Sequence, residues 1–187
     1  MGDHEREMRD ELATLADAPE AERRRRAFEI VVATVRKTFS LKPDEIAVLL
    51  LSKDGDTLRF AYPPELAAGG SNAFPVRFPS VAGRVVVSGE SLLSNQVQQE
   101  QHLAFYERVP VQGVAPTAIQ KLLAVPLRGP ASVLLGVLEV SRRGKTPSDA
   151  GPDFLPEELL QLERLAAAAA AVLGADPAEG PHGDRPS

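Results

Sequence analysis

The densest mixture of polar and aromatic side chains in the chain is His102, Phe105, Tyr106, Glu107 and Arg108. A lid over a pocket uses such residues: rings stack on a ligand, and a guanidinium pairs with a carboxylate or phosphate. The same run equally suits an amphipathic turn whose rings plug the gap beneath it. Asn95 and Gln96 carry amides that either orient a ligand or end an edge strand. Lys121 and Glu139 fall on two strands predicted to pair, where they contact a ligand or form a cross-strand ion pair. Catalysis finds few components. The chain has no cysteine, which removes thiol nucleophiles, thiolate metal sites, iron–sulfur clusters and thioether-linked chromophores. His102 is the single histidine away from the termini, and Ser88-Gly89-Glu90-Ser91 lacks the nucleophile-elbow pattern. His102 and Glu107 stand at i, i+5 and do not share a helix face, so no metal centre and no cofactor is expected.

The charge balance excludes further classes. With 26 acidic and 21 basic residues the net charge is −5, without the basic excess of a nucleic-acid surface. Arg23-Arg24-Arg25-Arg26 is set among Glu20, Glu22 and Glu29 and reads as a solvated helix face rather than a nucleic-acid or membrane contact. The longest apolar stretch, Leu165 to Leu173, is about half of what a bilayer requires. Met1-Gly2-Asp3-His4-Glu5 lacks the basic-then-apolar order of a signal peptide. A cytoplasmic location is therefore expected.

These residues need elements to position them. Met8, Leu12 and Leu15 form a narrow helical stripe, Pro19 interrupts it, and a second helix is predicted over 20–39 with Phe28, Val31, Val32, Val35 and Phe39 on one face. From Glu45 the period changes to two. Ile46 to Leu51 is a buried strand, Asp54-Gly55 a hairpin turn, and Leu58, Phe60 and Tyr62 are expected on one face of the return strand. A short strand is expected within 73–78. Ser80 and Gly89 bracket a short helix as N-cap and C-cap, and Leu92 to Asn95 reads as an edge strand. The segment 98–118 lacks a clear period, the mark of a lid or binding loop. Strands over 119–128 and 133–142 are joined by Gly129-Pro130-Ala131. A last helix starts at Pro156, with Glu157 and Glu158 in its first turn and Leu159, Leu162, Leu165, Ala166, Ala169 and Leu173 along its stripe. Strands grouped between terminal helices make an α+β domain: a central antiparallel sheet, the N- and C-terminal helices packed on one face, a short helix and the irregular insertion on the other. The expected boundaries are a helical extension over 1–25, the domain over 26–173, and a disordered tail over 174–187.

Four strings, in order, then carry a resemblance: Ser80-Val81-Ala82-Gly83-Arg84-Val85-Val86-Val87-Ser88-Gly89-Glu90-Ser91-Leu92, Leu122-Leu123-Ala124-Val125-Pro126-Leu127, Leu135-Gly136-Val137-Leu138-Glu139-Val140 and Phe154-Leu155-Pro156-Glu157-Glu158-Leu159. Together they resemble the GAF domain family of small-molecule sensor and dimerisation modules. The resemblance implies a ligand cavity on the sheet face opposite the terminal helices, with Asn95, Gln96, His102, Phe105, Tyr106, Arg108, Lys121 and Glu139 as its candidate contacts. Family members that bind chromophores or reduce sulfoxides use cysteine, so neither activity is implied for a chain without it. Cyclic-nucleotide binders carry an Asn-Lys pair and Phe-x-x-x-Asp-Glu where this chain reads Ser141-Arg142, Phe154 and Glu158-Leu159, so cyclic GMP is not the expected ligand. The expected function is a non-enzymatic signalling module that takes a small molecule and passes its signal to a separate protein. The alternative is a ligand-free scaffold for protein–protein interaction. A homodimer is expected through Met8, Leu12, Leu15, Phe28, Val32, Val35, Leu162, Ala166 and Ala169, surplus to what covers the sheet.

Overall fold

The computed structural model describes residues 2–70, 72–99 and 109–173. Two helices open the chain, α1 (Asp3–Ala13) and α2 (Glu20–Phe39). Pro19 precedes the first turn of α2 and Ser40 ends it in the left-handed conformation. The strands β1 (Ile46–Leu51) and β2 (Thr57–Tyr62) follow as an antiparallel hairpin. Its turn is built by Asp54, whose carboxylate accepts from the Ser52 hydroxyl at 2.5 Å and the Asp56 amide at 3.1 Å, with Gly55 at φ +78°. Next come α3 (Pro64–Ala67), β3 (Ala73–Pro75), α4 (Val81–Ser88) and β4 (Leu92–Ser94). The Ser80 hydroxyl accepts from the Gly83 amide at 2.9 Å, and Gly89 closes α4 at φ +69°, both as the sequence predicts. The long pair β5 (Ile119–Arg128) and β6 (Leu134–Arg143) precedes α5 (Pro156–Leu173).

Among the described residues six strands join one antiparallel sheet in the order β3-β2-β1-β6-β5-β4, so β1 and β6 form its central pair. At the β1–β6 junction a side chain on Gly136 would stand 2.0 Å from the Leu49 carbonyl oxygen, which is why that position takes none. One face carries α1, α2 and α5 over Ile46, Val48, Leu123, Val125, Leu138 and Val140. The other carries α3, α4 and the Val97–Gln99 turn over Leu49, Leu58, Phe60, Leu122 and Val137. The α+β architecture with a helical face and an opposed α4 face is thus as expected. Tyr62 is a correction: the register shifts between Val48 and Leu49, so Tyr62 turns to the helical face while Leu58 and Phe60 stay on the other.

The residues expected between two copies take a different place. Met8, Leu12, Leu15, Val32, Val35, Leu162, Ala166 and Ala169 are all buried within the single chain. Helix α1 is not a spare stripe but a third member of the helical layer. Glu5 meets Arg164 of α5 at 3.5 Å, Lys37 of α2 meets Glu7 at 3.1 Å, and Thr38 bonds His4 at 3.1 Å. The sheet is wide enough to occupy three helices, which leaves Phe28, half-buried, as the one member of that set with a free side. Among the described residues no helix is long and apolar enough to cross a membrane.

Candidate functional site

The face opposite the terminal helices gathers side chains from three places in the sequence. Glu139, Ser141 and Arg143 alternate along β6 and point to this side. Asp44 lies just before β1, and Val111 crosses from the later insertion through its bridge with Val114. With Pro63 and Leu66 they line a cavity of about 10 Å³, room for one water-sized group. Glu139 is flanked across the sheet by Ala47 on β1 and Ala124 on β5. Ala47 also lines the cavity, where its methyl group leaves the space that a Leu would fill.

The charges here are unevenly satisfied. Glu45 is buried, and its carboxylate accepts from the amides of Lys42 and Arg143 at 2.8 and 2.9 Å. Arg143 donates to the Thr117 carbonyl at 3.1 Å and meets one oxygen of Asp44 at 3.6 Å. The other oxygen, Oδ1 of Asp44, is buried without a hydrogen bond. Glu139 is 4% exposed; burial raises its carboxyl to about 7, only partly offset by the nearby Arg143 guanidinium. No described group donates a hydrogen bond to it. Burial of a carboxylate without donors disfavours its charged form, which is the cause of the rise. A buried acid of this kind beside a cavity is a candidate ligand contact with a stated physical reason.

The other expected contacts are placed as follows. Asn95 uses its whole amide on the backbone of Phe154, donating to the carbonyl at 3.1 Å and accepting from the amide at 2.8 Å. Gln96 is exposed, in the turn after β4. Lys121 does not pair with Glu139, since the register sets Lys121 against Arg142 and Ala124 against Glu139. Its ammonium instead meets Asp153 at 2.9 Å and the Gly151 carbonyl. His102, Phe105, Tyr106 and Arg108 lie outside the described residues. Asn95 and Lys121 thus belong to a separate cluster that ties down the approach to α5. Arg142 completes it, donating to the Pro152 carbonyl at 2.7 Å and Glu158 at 2.8 Å and lying 4.1 Å over the Phe154 ring. Asp44 and Arg143 were not among the expected contacts. Both are charged residues beside strand ends, and sequence alone gives no sign that they reach one cavity.

A second concavity lies on the helical face, where β2 extends past the cover of α2. It measures about 1090 Å³ and is walled by Arg24, Phe28, Val32 and Arg36 along α2 and by Leu50, Ala61 and Tyr62 on the sheet. Phe28 and Tyr62 meet with ring centres 6.4 Å apart. Among the described residues no group of three or more histidines, cysteines or carboxylates is arranged to hold a metal ion.

Comparison with known proteins bears on the whole arrangement. The crystal structure of the GAF domain from Acinetobacter phosphoenolpyruvate-protein phosphotransferase is similar with a TM-score of 0.63 and 19% identity, covering 92% of this chain and 91% of that one. The free methionine-R-sulfoxide reductase from Neisseria meningitidis, solved with its substrate, gives 0.58 and 18%, covering 91% and 89%. The second GAF domain of DevS from Mycobacterium smegmatis gives 0.54 and 19%, covering 79% and 90%. At these identities the likeness is one of fold. A comparison with curated proteins found no match. The GAF domain family model matches residues 23–173, across the sheet, both helical layers and the cavity at Glu139, and the chain belongs to the GAF domain family.

Proposed function

We propose that this GAF domain is a non-enzymatic, cytoplasmic regulatory module that binds a small molecule at the Glu139 cavity and passes the signal to a separate protein. The observation that carries this reading is Glu139: a carboxylate buried on the cavity face, flanked by two alanines, with no hydrogen-bond donor among the described groups. A buried acid left this way costs stability, and a ligand that supplies a donor recovers it. Against an enzyme stands the side-chain inventory. The chain has no thiol, and the polar groups at the cavity offer no nucleophile–base pair. The reductase among its structural neighbours supports the capacity of this fold for small ligands, and nothing more.

A second reading, the interaction scaffold, is favoured by the α2–β2 groove, which is far larger than the Glu139 cavity and has an aromatic floor between arginines. A second copy or a partner chain would dock there, on Phe28. Thermal-shift screening of a metabolite panel against the full chain decides between them, with Ala47→Leu, a change at a residue that lines the cavity, as the variant that fills it. A compound that raises the wild-type Tm and leaves Ala47→Leu unmoved supports the sensor. A panel without effect on the wild type, together with a partner lost on Phe28→Glu, supports the scaffold and overturns the sensor.

A further inference from the structure

We infer that the group taken by the Glu139 cavity is a primary ammonium, held between the carboxylates of Asp44 and Glu139. The inference rests on the sensor reading above and names the chemistry of its ligand. It does not draw on the guanidinium of Arg108, the expected partner of a carboxylate or phosphate, which lies outside the described residues.

The argument is one of unsatisfied charge. The segment before β1 turns Asp44 and Glu45 toward this region, and β6 contributes Glu139 and Arg143. The facing residues of β5 are Ile119 and Leu122, α3 and its lead-in bring Leu66 and Pro63, and the bridge brings Val111, all without charge. Lys121 is turned away, to Gly151 and Asp153. Glu45 is satisfied by two amides, while Arg143 donates to the Thr117 carbonyl and meets Asp44 at 3.6 Å, beyond hydrogen-bond length. Of the acids lining the cavity, Asp44 Oδ1 is buried without a hydrogen bond, and the buried Glu139 carboxylate takes none from a described group. With every group in its charged form the cavity set of Asp44, Arg143 and Glu139 sums to one negative charge.

Three kinds of guest can be weighed against that set. An anion would add a second negative charge to a buried site and supply no donor. A planar guanidinium would have to place several heavy atoms in a cavity of about 10 Å³, where an ammonium places only its nitrogen and hydrogens. A metal ion would want a third carboxylate or histidine, and no such group is arranged among the described residues. An ammonium group brings one positive charge and three N–H donors with no acceptor to satisfy. Those donors match Asp44 Oδ1, Glu139 and the Ser141 hydroxyl, which lines the same cavity. The fourth substituent on nitrogen would carry the rest of the ligand outward.

Proton balance gives the proposal a second handle. Burial holds the Glu139 carboxyl up to about 7, so below that pH the cation enters as the carboxyl proton leaves. Affinity therefore rises with pH up to about 7 and then levels off. The sign follows because the ligand binds the ionised form and the proton competes with it.

The test uses the full chain with methylammonium chloride as probe and tetramethylammonium chloride at equal ionic strength as control. The Glu139 side-chain carboxyl is followed by carbon NMR, assigned by its loss in Glu139→Gln, and Tm is read at pH 8. Methylammonium is expected to lower the Glu139 midpoint by at least one pH unit and to raise Tm, tetramethylammonium to do neither. Asp44→Asn and Glu139→Gln are expected to weaken methylammonium binding at least tenfold. An unmoved midpoint, or equal effects of the two cations on the wild type, overturns the ammonium assignment without reliance on either variant. If an uncharged or anionic compound then stabilises the wild type and not Ala47→Leu, the cavity reading stands while the assignment falls. If no compound does so, both fall.

Discussion

Glu139 shows how far one side chain departs from its reference when the fold takes its water away. In an unfolded chain its carboxyl titrates near 4.5, and in the folded chain near 7, because burial opposes ionisation more than Arg143 favours it. The folded state therefore holds the proton more tightly than the unfolded state. Below pH 4.5 both states are protonated and there is no penalty. Between 4.5 and 7 stability falls as pH rises, and above 7 the full cost remains, roughly 3 kcal/mol at 1.36 kcal/mol per pH unit. Gln has the shape of the protonated acid and cannot ionise. Glu139→Gln is thus expected to be more stable than the parent at pH 8 by a cost of that order, with little difference at pH 4.5. Urea denaturation at the two pH values measures it, and a difference independent of pH would mean that the carboxylate is solvated in the folded state. The adjacent Asp44 and Arg143 meet at 3.6 Å with their side chains nearly fully buried, so one guanidinium serves two acids and offsets the burial of Glu139 only in part.

At the scale of elements, α5 is held by its approach rather than by its first turn. Asn95, Lys121 and Arg142 fix the segment over 151–154 from β4, β5 and β6, which sets where the helix begins. The cap itself is half made. Leu155 occupies the N-cap, where its carbonyl accepts from the amides of Glu158 and Leu159, and Glu158 reaches back to accept from the Leu155 amide at 2.8 Å. That is one arm of a capping box; the other needs a hydroxyl on residue 155. The Leu155 side chain is 55% exposed, so little packing is lost by replacing it. Leu155→Ser is expected to raise stability by about 0.5–2 kcal/mol. A fall in the denaturation midpoint would show that the leucine contributes more by burial than the hydroxyl does as a cap.

At the scale of the molecule, three helices against a six-stranded sheet leave the end of β2 partly uncovered on the helical face, and the α2–β2 groove is the consequence. Two substitutions separate the inside of this layer from its outside. Met8 is fully buried, and Met8→Ala is expected to cost about 2–5 kcal/mol of stability by removing core volume, without a specific effect on association. Phe28 keeps a free side in the groove. Phe28→Glu is expected to lower association at tens of micromolar while costing less stability than Met8→Ala. Light scattering beside chemical denaturation checks both. Association lost on Met8→Ala with unchanged stability would place α1 between chains instead.

Much of the fold was legible before any coordinates. The period-two runs, the Asp54-Gly55 turn, the Ser80 and Gly89 caps and Pro156 place elements by local rules, since each acts within a few residues. The four ordered strings reach the family for the same reason: each covers one element with its caps and the few residues beside it. The contacts of the site were not legible, because they depend on register and on what packs across the sheet. A shift of one residue at Val48 sends Tyr62 to the opposite face. The pairing of β5 with β6 sets Lys121 against Arg142 rather than Glu139. Asn95 finds Phe154 at a separation of 59 residues, and Asp44 reaches the cavity only because β1 lies beside β6. Helical periodicity showed apolar stripes on α1, α2 and α5, but a stripe has the same pattern whether it covers its own sheet or a second chain. Tertiary packing decided that, through the area of sheet the three helices had to cover.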